Sequence, residues 1–449
     1  MKRERTVTQE ATDRHTGNAI LPAIIAAHKR GSPLGVYSIC SANPFVLEAG
    51  VQQALEDGSP LLIESTCNQV NQEGGYTGMT PAGFRDYVQD ITDKSGLPRE
   101  RLILGGDHLG PSPWQHESIE SAMTKARVLV RDCVLAGYTK IHLDASVKCA
   151  DDAADSPLDR SISARRTAEL CLAAENTRKG LPSDEATPCY VIGTEVPLPG
   201  GAQDGEDELA VTEVEDAQET IELTREAFKR AGLEAAWERV IAVVVQPGVE
   251  YGDDSLFVYD RQAAARLSRF IDLYEKLVFE AHSTDYQSRD TLRMLVKDHF
   301  AILKVGPALT FAFREAVFAL AMMETEWLSK CRGIELSRIQ QVLEEAMLSN
   351  PGHWIKYYAG SKAYLQFARK YSFSDRSRYY WPDARVRKSL ARLLDNLERH
   401  PVPLTLLSQF LPMQYERVRA GALPNTPTAH IHDKIRHVLA DYAHACGVR

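Results

Sequence analysis

Eight times along this chain a short apolar, β-branched run ends in polar or glycine-rich residues and gives way to a stretch of helix length. The runs are Leu34–Pro44, Pro60–Thr66, Arg101–Gly110, Lys140–Ser146, Pro188–Val196, Val240–Gly248, Lys276–Thr284 and Ala301–Thr310. Near-continuous apolar runs with little alternation suit parallel strands covered on both faces. Eight such units fill the roughly 250 residues that a closed (β/α)8 barrel needs. A doubly wound open sheet is the rival, but it gathers its polar residues at one switch point. Here nearly every run carries them at its carboxyl end. The pattern therefore predicts an α/β fold, a (β/α)8 TIM barrel, with a polar site on the loops after the strands.

The rhythm breaks twice within this region and then stops. Residues 151–159 and 198–208 are rich in Gly, Pro, Asp and Glu and read as exposed loops, the second a candidate lid. From about residue 329 the pattern is helical, over 335–349, 353–371, 383–398, 402–418 and 429–445, with Pro351, Pro382, Pro401 and Pro427 as punctuation. The expected organisation is a barrel over 1–328 and a helical extension over 329–449, packed on the barrel or used in assembly. In the first half, Asn43-Pro44 precedes a helix over 45–56, and Thr80-Pro81 is a helix start with its cap and first-turn proline.

Bulk properties narrow the function classes. A net charge of -9 over 449 residues opposes a nucleic-acid footprint, since the basic clusters, Arg165-Arg166 and Arg376–Arg378, are local. No run of eighteen apolar residues occurs, so no membrane span is expected. The charged amino terminus lacks an apolar stretch behind it, which argues against secretion. Eight cysteines without a CxxC pair read as reduced thiols of a cytoplasmic protein.

The residues suited to chemistry sit at the strand ends. Asp107 and His108 are adjacent in Gly105-Gly-Asp-His-Leu-Gly-Pro111, where glycines allow close approach and unusual backbone angles. His142 and Asp144 share one face of their strand, as do Glu280 and His282 of theirs, and Glu195 ends the fifth run. Buried charges of this kind cost several kcal/mol unless paired or metal-bound. His108, Asp144, Glu195 and His282 converging at one rim would suit a divalent metal, zinc or manganese. His142 can equally orient a ligand from behind. Asp107, Asp144 and Glu195 are the acids available to move a proton.

Lys304 could form a Schiff base or hold a hydroxyl or phosphate, and the acid- and histidine-rich mouth favours the second. Gly306 and Thr310 stand where the next helix begins, as an anion site or as a simple cap. Ser41, Asn43, Glu64, Asn68 and Gln246 could fix a polyol or merely close loops. Arg376 and Arg378, within Ser372–Pro382, could take a sugar phosphate or brace an interdomain contact.

Taken together, Gly-Gly-Asp107-His108-Leu-Gly-Pro, His142-Leu-Asp144-Ala-Ser, Gly193-Thr-Glu195-Val-Pro, Phe279-Glu-Ala-His282-Ser-Thr-Asp285 and Lys304-Val-Gly-Pro-Ala-Leu-Thr resemble the GatZ/KbaZ family, as do Tyr371–Pro382 and Leu411–Tyr415 in the tail. The resemblance implies an accessory, non-catalytic subunit of class II D-tagatose-1,6-bisphosphate aldolase. Such a subunit supports a smaller catalytic barrel subunit in galactitol or amino-sugar breakdown. Some relatives carry the label tagatose-6-phosphate kinase, and others act as metal-dependent ketose 4-epimerases. No GxxxxGK[ST] loop is present, which weighs against a P-loop kinase. The likeness to class II aldolases places a catalytic acid at Asp107 and a metal-binding histidine at His108. Their other ligands are largely histidines, whereas this chain offers Glu195 and only His282 late in the barrel. That departure weighs against aldol cleavage by this chain alone, while the well-supplied polar mouth keeps a stand-alone metal-dependent ketose or ketose-phosphate 4-epimerase or aldolase as the alternative, with the oligomeric state open.

Overall fold

The computed structural model describes residues 19–153, 156–182, 187–193 and 209–448. Eight parallel strands close a barrel: β1 (Val36–Ile39), β2 (Leu61–Thr66), β3 (Leu102–Leu109), β4 (Lys140–Leu143), β5 (Cys189–Ile192), β6 (Val240–Val245), β7 (Val278–Ala281) and β8 (Phe300–Val305). Each pairs with its neighbours in sequence, and β8 closes on β1 with Val36 opposite Ile302 and Ile39 opposite Val305. Strands such as β6, six apolar residues all buried, need helices on one face and barrel filling on the other. All eight expected strands are present.

The helices begin and end where local chemistry says they should. The α1 helix is Ile20–Lys29, and α2 is Pro44–Asp57, capped by Asn43, whose side chain accepts from the Phe45 N–H at 3.0 Å. Thr80 caps α3 (Pro81–Ser95) in the same way through the Gly83 N–H. The outer layer continues with α4 (Ile119–Leu135), α5 (Arg160–Lys179), α6 (Val214–Arg230), α7 (Ala265–Ile271), α8 (Arg289–Lys297) and α9 (Pro307–Leu328). Helix α1 was not legible from the strand rhythm. Its Ile20, Leu21, Ile24 and Ile25 pack with Val36, Leu62, Ile103, Val191, Val278 and Ile302, forming an apolar floor at the amino ends of the strands.

The extension holds α10 (Ile339–Ser349), α11 (Lys362–Tyr371), α12 (Ala384–Arg399), α13 (Leu404–Phe410), α14 (Pro412–Arg419) and α15 (Pro427–Ala445). The helix expected over 402–418 is two helices. Pro412 removes a donor and pushes Leu411 out of helical geometry (φ -137°, ψ 67°), so the chain restarts there. Similarly, the helix expected from 353 starts only at Lys362, after Gly360 at φ +127°. The last helix does not stand apart from the barrel. It packs against α9, α2 and α8, its Tyr442 hydroxyl donates to the Thr284 carbonyl (2.8 Å), and Gly35 N–H donates to the Cys446 carbonyl (3.1 Å). No helix among the described residues is long and apolar enough to cross a membrane. All eight cysteines are free.

Candidate metal centre

Adjacent residues of a strand ordinarily face opposite sides of the sheet. Asp107 and His108 nevertheless both turn into the barrel mouth, because the pairing of β3 with β4 slips by one residue between Gly106 and Leu109. That bulge inserts the extra residue, and His108 takes it up in the left-handed region at φ 51°, a strained conformation for a residue other than glycine. The glycines supply room instead of unusual angles. A Cβ at Gly105 would lie 2.7 Å from the Glu64 side chain, and one at Gly110 would lie 1.6 Å from the Asp144 carbonyl oxygen.

A charged layer crosses the barrel just below the mouth. Lys140, from β4, is fully buried and places its Nζ 2.6 Å from Glu64 Oε1 and 2.6 Å from Glu280 Oε2. Lys304, from β8, pairs with Glu64 and lies 3.1 Å from Asp107 Oδ2. Burial works against both ammonium groups, but Glu280 and Glu64 hold Lys140 above its ordinary pKa, and Asp107 and Glu64 hold Lys304 well above it. A lysine so held keeps its proton, which disfavours the Schiff-base route at Lys304.

Three histidines stand on this layer. The rings of His108, His142 and His282 are mutually 4.9 to 5.4 Å apart between centroids. His282 Nε2 contacts Glu280 Oε1 at 2.9 Å, His108 Nδ1 contacts Asp144 Oδ2 at 2.9 Å, and His142 Nδ1 contacts Asp107 Oδ1 at 2.9 Å. His142 Nδ1 lies between two partners, Asp107 Oδ1 and the His108 backbone N–H, which donates to it at 3.2 Å. Its Nε2 is buried and has no hydrogen-bond partner. An unpartnered imidazole nitrogen in this position is what a metal ligand looks like before its ion is counted.

Asp107, His142, Glu280 and His282 each offer one ligand atom, all within 4.8 Å of one another. Among the described residues of this network, four carboxylates (Glu64, Asp107, Asp144, Glu280) outnumber the two ammonium groups, Lys140 and Lys304, so the cluster carries an excess of acidic groups. Burial raises Asp107, yet His108 and Lys304 outweigh it and hold the carboxyl well below the usual range; Lys140 and Lys304 do the same for Glu280. Burial lowers His282 to about 4. His108 moves the other way, since Asp107 and Asp144 overcome its burial.

The structure gathers most of the expected site residues around this cluster. Of the expected ligand set His108, Asp144, Glu195 and His282, the cluster contains His282. His108 borders it, with Nε2 3.7 Å from Asp107 Oδ2. Asp144 turns away to His108 Nδ1 and to the Ser146 N–H and hydroxyl, and so orients His108. Glu195 and the 198–208 loop lie outside the described residues. Glu64, Glu280 and Lys304 belong to the charged layer.

Above the cluster opens a cavity of about 110 Å³, bordered by Asp107, His108, His282, Lys304, Asp285 and Arg378 among others. Gly306 borders it too, but the helix terminus behind it is already occupied. Asp285 Oδ1 accepts from the Gly306 and Ala308 N–H groups at 3.0 and 2.8 Å. Burial still brings Asp285 up to about 6. Thr310 spends its hydroxyl on Asp375 (2.5 Å), and Gln246 closes its own loop through the Gly248 and Val249 N–H groups. Ser41 accepts from the Asn43 N–H. Arg376 donates to the His353 carbonyl and stacks on Tyr357, bracing the extension, whereas Arg378 reaches the cavity wall.

Sequence reasoning passed over Lys140 and Asp285. The alternation that joined His142 to Asp144 extends two residues back to Lys140, and Asp285 closes the Glu280–His282 motif, so both were within reach.

A family model described as D-tagatose-1,6-bisphosphate aldolase subunit GatZ/KbaZ-like matches residues 21–447. A protein of Salmonella agona, named D-tagatose-1,6-bisphosphate aldolase subunit GatZ, is 51% identical over 426 residues, covering 94% of this chain and 98% of its own. Its namesake from Salmonella heidelberg matches to the same extent. Among solved structures, a probable tagatose 6 phosphate kinase from Sinorhizobium meliloti 1021 superposes with a TM-score of 0.83 at 43% identity, over 92% of this chain and 100% of that one.

Proposed function

The chain belongs to the D-tagatose-1,6-bisphosphate aldolase subunit GatZ/KbaZ-like family, and from that premise we propose that it serves as a subunit of such an aldolase. In this reading it is an accessory chain that supports the activity and stability of a smaller class II catalytic subunit in carbohydrate breakdown. One observation carries the reading: the likeness runs through barrel and extension alike, across 98% of the relative's length. The test is to purify the chain and titrate it into the smaller aldolase of the same source. Tagatose-bisphosphate cleavage and the thermal stability of the small subunit should both rise. No change in either would overturn the accessory role.

A second reading, in which this chain itself works on a ketose or ketose phosphate by aldol cleavage or C4 epimerisation, is favoured by the unpartnered His142 Nε2 amid acids. Asp107, His142, Glu280 and His282 would hold the ion, zinc or manganese, with His108 at its edge. An ion held by these residues would supply Lewis-acid chemistry towards a sugar carbonyl. Asp107, kept ionised by its cationic neighbours, would serve the ion as an anionic ligand. Asp285 would present its carboxyl from the cavity wall, and Arg378 would face a phosphate. Metal analysis of the isolated chain should find about one equivalent, lost in His142→Ala. Interconversion of D-tagatose and D-fructose should disappear on chelation; activity that persists would remove the metal from this reading.

A further inference from the structure

One wall of the metal cavity, made by the loop after β7 and the start of α9, bears on which sugars can enter it. A helix the length of α9, 22 residues, presents open N–H groups and the positive end of its dipole at its first turn, an ordinary seat for a phosphate. Its N-cap residue, Gly306, has no side chain to fill that seat. Asp285 fills it instead from the neighbouring loop, with Oδ1 accepting from both the Gly306 and the Ala308 N–H.

The loop is bent to put the carboxylate there. Ser283 (φ 52°) and Tyr286 (φ 63°) flank it in the left-handed region, which is strained for residues other than glycine. Thr284, between them, is tied down at both ends: its hydroxyl donates to the Lys304 carbonyl (2.6 Å) and its carbonyl accepts from Tyr442. Capping alone needs no such strain, since Asn43 and Thr80 cap α2 and α3 from relaxed backbone at φ -72° and -78°. Asp285 is only 2% exposed and stands in the cavity wall. Its second oxygen, Oδ2, accepts from no other described residue. Unlike the unpartnered Glu64 and Glu280 oxygens it is not sealed in, so its remaining surface faces the cavity. The wall has two permanent cations. Lys304 is committed to Glu64 and Asp107, whereas Arg378 donates only to the Ser374 and Asp375 carbonyls and the Tyr379 hydroxyl. One uncommitted cation and one open carboxylate oxygen therefore face the same space.

We propose that Asp285 determines the substrate class of this cavity: Oδ2 receives a hydroxyl of the ketose, and its charge refuses a phosphate at the helix terminus. An ionised carboxylate accepts from a hydroxyl, while like charges brought together suppress the wrong ligand. The cavity accordingly takes a ketose or a ketose monophosphate, whose single phosphate meets Arg378, and turns away a bisphosphate. The inference rests on the reading in which this chain itself binds a ketose.

The test is calorimetric titration of the full chain, supplied with zinc, with D-tagatose 6-phosphate and with D-tagatose 1,6-bisphosphate. At about pH 8, above the value of about 6 to which burial brings it, Asp285 is ionised. The parent should bind the monophosphate at least about tenfold more tightly than the bisphosphate. Asp285→Ser vacates the helix terminus, so the bisphosphate should gain about tenfold and the monophosphate should lose affinity. Asp285→Asn keeps an acceptor for the two N–H groups without the charge, and should narrow the preference to about threefold or less. A residue that merely caps α9 would lose melting temperature on substitution and leave the order of the two ligands unchanged. Equal binding of both ligands by the parent, or a preference that survives in both variants, would overturn this inference alone. Failure of the parent to bind either sugar would overturn the ketose-binding reading and this inference with it.

Discussion

The two ends of the barrel are built from the same eight strands and could hardly differ more. At the amino end α1 closes a floor of aliphatic side chains, Ile20, Leu21, Ile24 and Ile25 against Val36, Leu62 and Ile302. Towards the mouth the same strands and the loops after them carry Glu64, Lys140, Glu280, Lys304 and the three histidines, all below 7% exposure. The floor gains stability from burial, since apolar area leaves water at no electrostatic cost. The mouth buries charge, which is tolerable only because each charge has a partner. In barrels of this kind stability and function divide along the barrel axis; here the division is visible within single strands, such as β2 with Leu62 in the floor and Glu64 in the charged layer.

The largest effect should come from breaking the mouth's charge pairing. Lys140→Met leaves Glu64 and Glu280 facing each other without their shared cation, and should cost about 4 kcal/mol in urea unfolding. Ile24→Ala, in the floor, should cost about 3 kcal/mol through transfer and cavity terms, with metal content per folded molecule unchanged. A smaller cost for Lys140→Met than for Ile24→Ala would mean that the glutamates are not held as a charged pair.

Acid should attack the floor end as well. His28 is lowered to about 4 by burial, against the hydrogen bond to the Leu34 carbonyl. Between pH 6.5 and 4 the unfolded chain binds this proton and the folded chain does not. The stabilisation from His28 is therefore complete above about pH 6.5 and lost as the pH falls towards 4. It amounts to about 2 to 3 kcal/mol, and the slope of unfolding free energy against pH should flatten in His28→Gln. A slope unchanged by that substitution would assign the acid sensitivity elsewhere.

The smallest effect sharpens the mouth itself. Asp144→Asn keeps the shape but weakens the contact that orients His108, and should reduce metal affinity about tenfold with little change in unfolding free energy. A loss of a thousandfold or more would make Asp144 a direct ligand, as the sequence suggests on its face.

Local chemistry made much of this protein legible. The eight apolar runs determine the strands, because a parallel strand covered on both faces must be apolar for most of its length. The cap Thr80 follows from backbone chemistry near it, whereas the breaks at Pro412 and Gly360, equally local, went unread in the helices expected over 402–418 and 353–371. The chemical character of the mouth was also readable, since acids and histidines at strand ends have no cheaper explanation than a shared site. The partnerships among those residues lay beyond local reading. They depend on barrel closure, on the one-residue slip that turns both Asp107 and His108 inward, and on Lys140 reaching two glutamates from different strands. The return of α15 across α2 and α8 was hidden for the same reason. Side-chain type is a property of the chain, whereas the distance between side chains far apart in sequence is set by how the sheet closes and shifts register.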